Sequence, residues 1–239
     1  MKAKSIHCIV SLGLGLSLGQ AADPVRDRVA KGVAAELPSL VSLYKHFHAN
    51  PELSFMEVET ARRMAAELRD AGLTVTTGVG GHGLVGVLKN GPGPTLLIRA
   101  DMDALPVREE TGLPHASKKQ VTDEHGNTVH TMHACGHDVH MTSFIGTARL
   151  LGQLRDAWSG SLVMIGQPAE ERGAGARAML ADGLYERFPV PDYCIGLHVA
   201  SDQPAGTIGH NSGYVYANVD SVGRTGQEAH TPSTPWWPC

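Results

Sequence analysis

Excess positive charge, cysteine and long apolar runs are all scarce in this sequence. Its 20 Lys and Arg stand against 24 Asp and Glu, a net charge of −4. That balance argues against a nucleic-acid binder, which needs a basic face. Four cysteines are too few for a disulfide framework, and the three beyond Cys8 (Cys135, Cys194 and Cys239) make an odd number. Aromatics reach only 5%, yet 42% hydrophobic and 18% charged residues still describe a globular chain rather than a disordered or collagen-like one. No segment after the first 22 residues approaches the roughly 20 apolar residues of a membrane span. There is no internal repeat and no low-complexity stretch. A Gly-x-Ser-x-Gly elbow is absent, which weakens a serine-nucleophile reading. The run Gly173-Ala174-Gly175-Ala176 lacks the Lys-Ser/Thr ending of a nucleotide-binding P-loop.

The N-terminus reads as a targeting segment. Lys2 and Lys4 precede the apolar run Ile6 to Leu18, and Gly19-Gln20-Ala21 offers small residues for cleavage. Charged, apolar and small-residue regions in that order predict a signal peptide over 1–21. The expected location is periplasmic or secreted, with no membrane attachment after cleavage. The 239 residues leave room for one good-sized domain and a fragment of another.

Helical spacing runs from Asp23-Pro24 through Leu37, Leu40, Val41, Tyr44 and Phe47 to a stop at Asn50-Pro51. Ser54-Phe55-Met56-Glu57 fits a capping box for a second helix that ends at Gly72. Strand-like runs come next at Leu73–Thr77, Leu84–Leu88 and Thr95–Ala100, separated by glycine and proline turns. A long loop is expected from Leu105 to His133, and a helix over Met141–Leu154. A strand at Leu162–Gly166, a helix at Ala174–Leu180 and a strand at Tyr193–His198 complete the pattern, with Thr207–Ala217 also extended. Alternating strands and helices predict an α/β fold, a sheet covered by helices on both faces.

Thirteen histidines are present, four of them between His130 and His140. In His133-Ala134-Cys135-Gly136-His137-Asp138, a glycine turn between Cys135 and His137 can aim thiolate and imidazole at one ion. Three predicted strands end in acidic or imidazole residues: Asp101 and Asp103, then Glu170 and Glu171, then His198. Sheets of this class bind ligands beyond the carboxyl ends of their strands. Adjacent Glu170 and Glu171 after a buried strand would be costly without a cation. One can bind metal while its neighbour handles a proton. A thiol hydrolase and a closed structural zinc site are weaker readings, because five or more ligand-type residues are spread over several strands. The set points instead to an open, two-metal hydrolytic centre.

Five segments resemble the amidohydrolase branch of the co-catalytic metallopeptidases, the branch of hippurate hydrolase, N-acetyldiaminopimelate deacetylase and the plant indoleacetyl-amino-acid hydrolases. They are His48-Ala49-Asn50-Pro51-Glu52-Leu53-Ser54-Phe55, Arg99-Ala100-Asp101-Met102-Asp103-Ala104-Leu105-Pro106, His133 to Asp138, Gln167-Pro168-Ala169-Glu170-Glu171 and Gly196-Leu197-His198. The resemblance covers residues 38–217. It implies a zinc-exopeptidase-like catalytic domain with a mixed central sheet. It implies Cys135, His137, Glu171 and His198 as ligands of two divalent ions, zinc, manganese, cobalt or nickel. Glu170 is then the general base and Asp103 a residue that supports or orients the site. Asp101 stands where other branches carry a ligand histidine and receives no role. The implied substrate is a small N-acyl amino acid or peptide, and the implied assembly of full-length relatives is a homodimer or larger.

By the same resemblance the catalytic domain occupies 22–217, and a lid and dimerisation domain would begin after it. From Gly223 the likeness is lost, and Thr231-Pro232-Ser233-Thr234-Pro235-Trp236-Trp237-Pro238-Cys239 fits neither strand nor helix. Residues 218–239 are therefore expected to be an aberrant tail produced by a shifted reading frame near Val222. The lid would be missing or only begun.

Overall fold

The computed structural model describes residues 24–210. The expected signal peptide and the 218–239 tail lie outside the described residues. The long first helix forms as expected, as α1 (Pro24–Ala49), and continues through Pro38. Next comes α2 (Val58–Asp70). Gly72, at φ 89°, closes α2 in a left-handed turn. There Gly72 N–H donates to Arg69 and Leu73 N–H to Leu68, the paired bonds of a glycine-terminated helix.

Three strands come after it, β1 (Thr74–Val79), β2 (Gly83–Asn90) and β3 (Thr95–Asp101). A small antiparallel hairpin is next, β4 (Gln120–Thr122) with β5 (Thr128–His130). The chain then runs through α3 (His137–Gln153), β6 (Gly160–Gln167), α4 (Gly175–Ala181), α5 (Leu184–Arg187) and β7 (Tyr193–Gly196).

The main sheet has the order β1-β2-β6-β3-β7. Its β1, β2 and β6 pair antiparallel, whereas β6, β3 and β7 run parallel. The expected mixed α/β sheet is thus present. Side chains alternate across it. Leu84, Leu88, Leu162 and Met164 pack with Leu43, Phe47, Met64, Leu68 and Phe144 from α1, α2 and α3. Val85, Leu97, Val163 and Ile165 face Met179 and Leu184 from α4 and α5. Helices therefore cover both faces. Among the described residues no helix is long and apolar enough to cross a membrane.

Four local expectations need correction. Ser54 and Glu57 do not form a capping box: no side chain of the N-cap bonds the helix start. The cap comes from Glu52, whose Oε2 accepts the Thr60 N–H at 2.8 Å. The 105–133 loop is not structureless, because its polar tip folds into the β4–β5 hairpin. Helix α3 starts at His137 rather than Met141, because Gly136 at φ 75° turns the chain directly into it. Finally, Thr207–His210 is not a strand; the remainder of Thr207–Ala217 lies outside the described residues.

Candidate metal centre

The three parallel strands β6, β3 and β7 are neighbours, and the residues just past their carboxyl ends converge. Asp101 and Asp103 stand at the end of β3, Glu170 and Glu171 beyond β6, and His198 beyond β7. Cys135 arrives from the turn before α3, and His137 is the helix's first residue. Gly136 between them has two requirements: its positive φ, and the close approach of Val199, whose Cγ2 would lie 2.4 Å from an added Cβ.

His137 is the centre of the cluster. Ligand atoms of Cys135, His137 and His198 all lie within 4.8 Å of one another, as do those of His137, Glu170 and Glu171. The His137 ring is fully buried. Its Nδ1 donates to the Asp103 carbonyl at 2.7 Å. Its Nε2 therefore points at Asp101, Glu170 and Glu171, 3.6 to 3.7 Å away. Those separations are too long for hydrogen bonds. Among the described residues, His137 Nε2 and Glu171 Oε1 are both buried without a hydrogen-bond partner. Two facing, unpartnered ligand atoms of complementary type suit a cation between them, and thiolate, imidazole and carboxylate together suit zinc-like divalent ions.

The electrostatics agree. Burial lowers the His137 pKa, but the hydrogen bond to Asp103 and the charges of Asp101, Asp103 and Glu171 outweigh it and carry it up to about 9. Burial, with Glu170 and Asp103 nearby, raises Glu171 to about 7. The metal-free cluster thus holds a proton on His137 where a cation would remove it.

The Asp103 carboxylate lies 3.5 Å from His137 Nδ1 and also holds the acidic turn. Its Oδ1 accepts Glu170 N–H at 3.1 Å. Its Oδ2 accepts Glu171 N–H at 3.0 Å and the Ser54 hydroxyl at 2.6 Å. The preceding amide, Ala169 N–H, donates to Glu57 Oε1 at 2.7 Å. Three consecutive amides of the acidic turn are therefore gripped by two buried carboxylates. Ala169 needs that grip, because its φ of 47° costs a residue with a side chain on the order of 1–3 kcal/mol. Gly175 makes room for the turn, since a Cβ there would stand 1.5 Å from the Pro168 carbonyl oxygen.

Sequence reasoning misses several contributors. Glu57 has the spacing of a helix cap but belongs to this grip. Asp101, without a role by resemblance, accepts from Arg99 at 2.8 Å and bonds His140 Nδ1 at 2.6 Å. His140 is found only once α3 is known to start at His137, which puts both rings on one face. His48 is held between Asp138 and Glu109 at 2.7 and 2.9 Å, supporting the first turn of α3 from outside.

An α/β sheet whose parallel strand ends, with the turn into α3, bring Cys, His and Glu ligand atoms together defines a domain built around a candidate metal centre. Residues 97–237 match the profile of peptidase family M20/M25/M40, and the chain belongs to that family. The N-acetylcysteine deacetylase of Bacillus subtilis (strain 168) is 40% identical over 187 residues, 76% of this chain and 45% of that protein. The hippurate hydrolase of Campylobacter jejuni is 42% identical over 170 residues, 68% of this chain and 41% of the hydrolase. The crystal structure of the Bacillus subtilis YXEP protein, described as a dinuclear metal binding peptidase from the M20 family, matches with a TM-score of 0.67 at 39% identity. The match covers 75% of this chain and 47% of that one. The chain thus spans somewhat under half the length of these relatives.

Proposed function

We propose that this protein hydrolyses the amide bond of small N-acyl amino acids, releasing a carboxylic acid and a free amino acid. The observation that carries the reading is the pair of buried, unpartnered ligand atoms, His137 Nε2 and Glu171 Oε1, beside Cys135 and His198. The likeness to an N-acetylcysteine deacetylase and a hippurate hydrolase supports the substrate class. The likeness to a dinuclear metal binding peptidase supports two ions.

Cys135, His137, Glu171 and His198 would hold the ions, of zinc, manganese, cobalt or nickel type. When bound, such ions supply Lewis acidity, polarising the scissile carbonyl and making water a nucleophile at neutral pH. Glu170 acts as general base. Its side chain is 37% exposed, beside the buried His137 ring, so it reaches both solvent and the cluster. It takes the proton from the attacking water and returns it to the leaving nitrogen. Asp103 and Glu57 hold the backbone of the turn that carries both glutamates.

The reading includes export to the periplasm or the medium, supported by Lys2, Lys4 and the Ile6–Leu18 run. Cell fractionation with N-terminal sequencing tests it: a cytoplasmic protein that retains Met1 to Ala21 refutes it.

The test of function is a substrate panel with the metal-loaded chain. N-acyl amino acids should be cleaved and unmodified dipeptides should not. Glu170→Gln should lose about 10²–10⁴-fold in turnover with metal content unchanged. Cleavage of dipeptides alone would replace this reading with an exopeptidase. No turnover at full metal occupancy would leave a metal-binding protein and refute the enzyme.

A further inference from the structure

Of the four side chains assigned to the ions, His198 has the weakest local support. Every residue of β7 is exposed, and so is His198 itself. Cys135 and His137 are buried by the fold, and the Glu171 amide is gripped by Asp103. The segment Leu197-His198-Val199, just past β7, needs a separate tie.

That tie begins at Asp101. Its carboxylate only accepts, so the His140 nitrogen 2.6 Å away, Nδ1, carries the hydrogen. The other ring nitrogen, Nε2, accepts the Val199 N–H at 2.9 Å and is therefore unprotonated. On the far side of the same residue, the Val199 carbonyl oxygen lies 2.6 Å from His198 Nδ1. A carbonyl accepts, so His198 Nδ1 carries its hydrogen, and in the neutral ring Nε2 keeps its lone pair. That Nε2 is the atom 3.4 Å from Cys135 Sγ. The His140 and His198 rings meet edge to face with centroids 4.6 Å apart.

Asp101, His137 and His140 could by themselves pass for another metal-binding trio. The hydrogen bonds exclude that use. Both His140 nitrogens are occupied, and both Asp101 oxygens are engaged, by His140 and Arg99.

We infer that Asp101 and His140 are positioning residues: through the main chain of Val199 they hold His198 in place and fix it in the Nδ1–H tautomer, with Nε2 presented to the ion. The inference rests on His198 being a ligand, as proposed above. A ligand histidine anchored through its other ring nitrogen is the arrangement that orients metal sites, and loss of such support typically costs 10–100-fold in affinity.

The test has two parts. In the metal-free wild-type chain, long-range ¹H–¹⁵N spectra of the imidazoles should show His198 as the Nδ1–H tautomer. An Nε2–H tautomer overturns the inference without any variant. In the second part, Co²⁺ is titrated into the full chain while thiolate-to-cobalt charge transfer and affinity are followed. His140→Phe should weaken Co²⁺ binding at least about tenfold while charge transfer from Cys135 persists. His140→Gln can still accept the Val199 N–H and should recover most of that loss. Asp101→Asn, a separate perturbation of the same tie, should fall between the two. Wild-type affinity in a folded His140→Phe protein overturns the inference, as does equal loss in the Phe and Gln variants. Cys135→Ser separates the underlying reading. If it binds Co²⁺ like the wild type and no charge transfer is seen in either, the metal centre itself is refuted.

Discussion

Glu57 offers the sharpest physical test of the fold around the site. Its side chain is completely buried. Oε1 accepts the Ala169 N–H, and Oε2 has no hydrogen-bond partner among the described residues. Burial raises its pKa from 4.5 to about 7, against the hydrogen bond from Ala169. Below pH 4.5 the group is protonated in folded and unfolded chains alike and contributes no pH dependence. Between 4.5 and 7 the unfolded chain releases the proton and the folded chain keeps it, so stability falls as pH rises. Above 7 both forms are ionised and the loss is complete. At 1.36 kcal/mol per pKa unit, that loss is about 3 kcal/mol, a large part of the roughly 5–15 kcal/mol that holds a domain together. Glu57→Gln keeps an acceptor for Ala169 N–H and cannot ionise. It adds a pH-independent cost for its unpaired amide, about 1–3 kcal/mol. The diagnostic is therefore the shape of the difference. Urea unfolding of the chelator-treated protein, followed through tryptophan fluorescence and far-UV circular dichroism from pH 4.5 to 8, should show the variant gaining about 3 kcal/mol on the wild type. Two parallel curves would refute the buried, protonated Glu57.

The same structure has other measurable consequences. Metal binding must strip the proton from His137, whose pKa is about 9. Calorimetry at pH 7.5 in buffers of different ionisation enthalpy should detect at least about one proton released, and affinity should climb with pH until about 9. The hydrogen bonds to Glu109 and Asp138 raise the His48 pKa although burial opposes them. Protonated His48 therefore stabilises the fold fully below pH 6.5 and progressively less as pH rises through its higher folded value. His48→Gln should be less stable than wild type by about 1–3 kcal/mol at pH 6, and the gap should narrow toward alkaline pH in paired melts. Gly175→Ala would drive a methyl group into the Pro168 carbonyl. It should displace the acidic turn, cost about 1–3 kcal/mol and weaken metal binding in the same titration.

The sheet was legible because its strands announce themselves locally. Leu84, Val85, Leu162 and Val163 sit in short apolar runs bounded by glycine and proline, and all four are buried. The β4–β5 hairpin was not legible: its three-residue strands carry Gln120, Thr122, Thr128 and His130, whose polar side chains have no core to mark them. The position of His198, Cys135 and Glu171 at strand ends and turns accords with the α/β pattern. Their supports do not show in it. Ser54 and Glu57 have the spacing of a helix cap, and only tertiary packing diverts them to Asp103 and Ala169. His140 was hidden for a different reason, since a glycine at φ 75° moved the helix start by four residues.

Among the described residues, strand β7 lies at one edge of the sheet and pairs with β3 alone. It also carries His198 just past its end. On the proposed ligand set, an ion bound at His198 would fasten the edge strand to the sheet's interior, and every opening of that edge would have to release it. By mass action, saturating metal at 100 times its dissociation constant would add about 2.7 kcal/mol to closure of the edge. The amides of Tyr193 to Gly196 should then exchange hydrogen more slowly in the loaded protein than in the metal-free one. The proposed centre would in that sense be a clasp on the sheet as well as a place for chemistry.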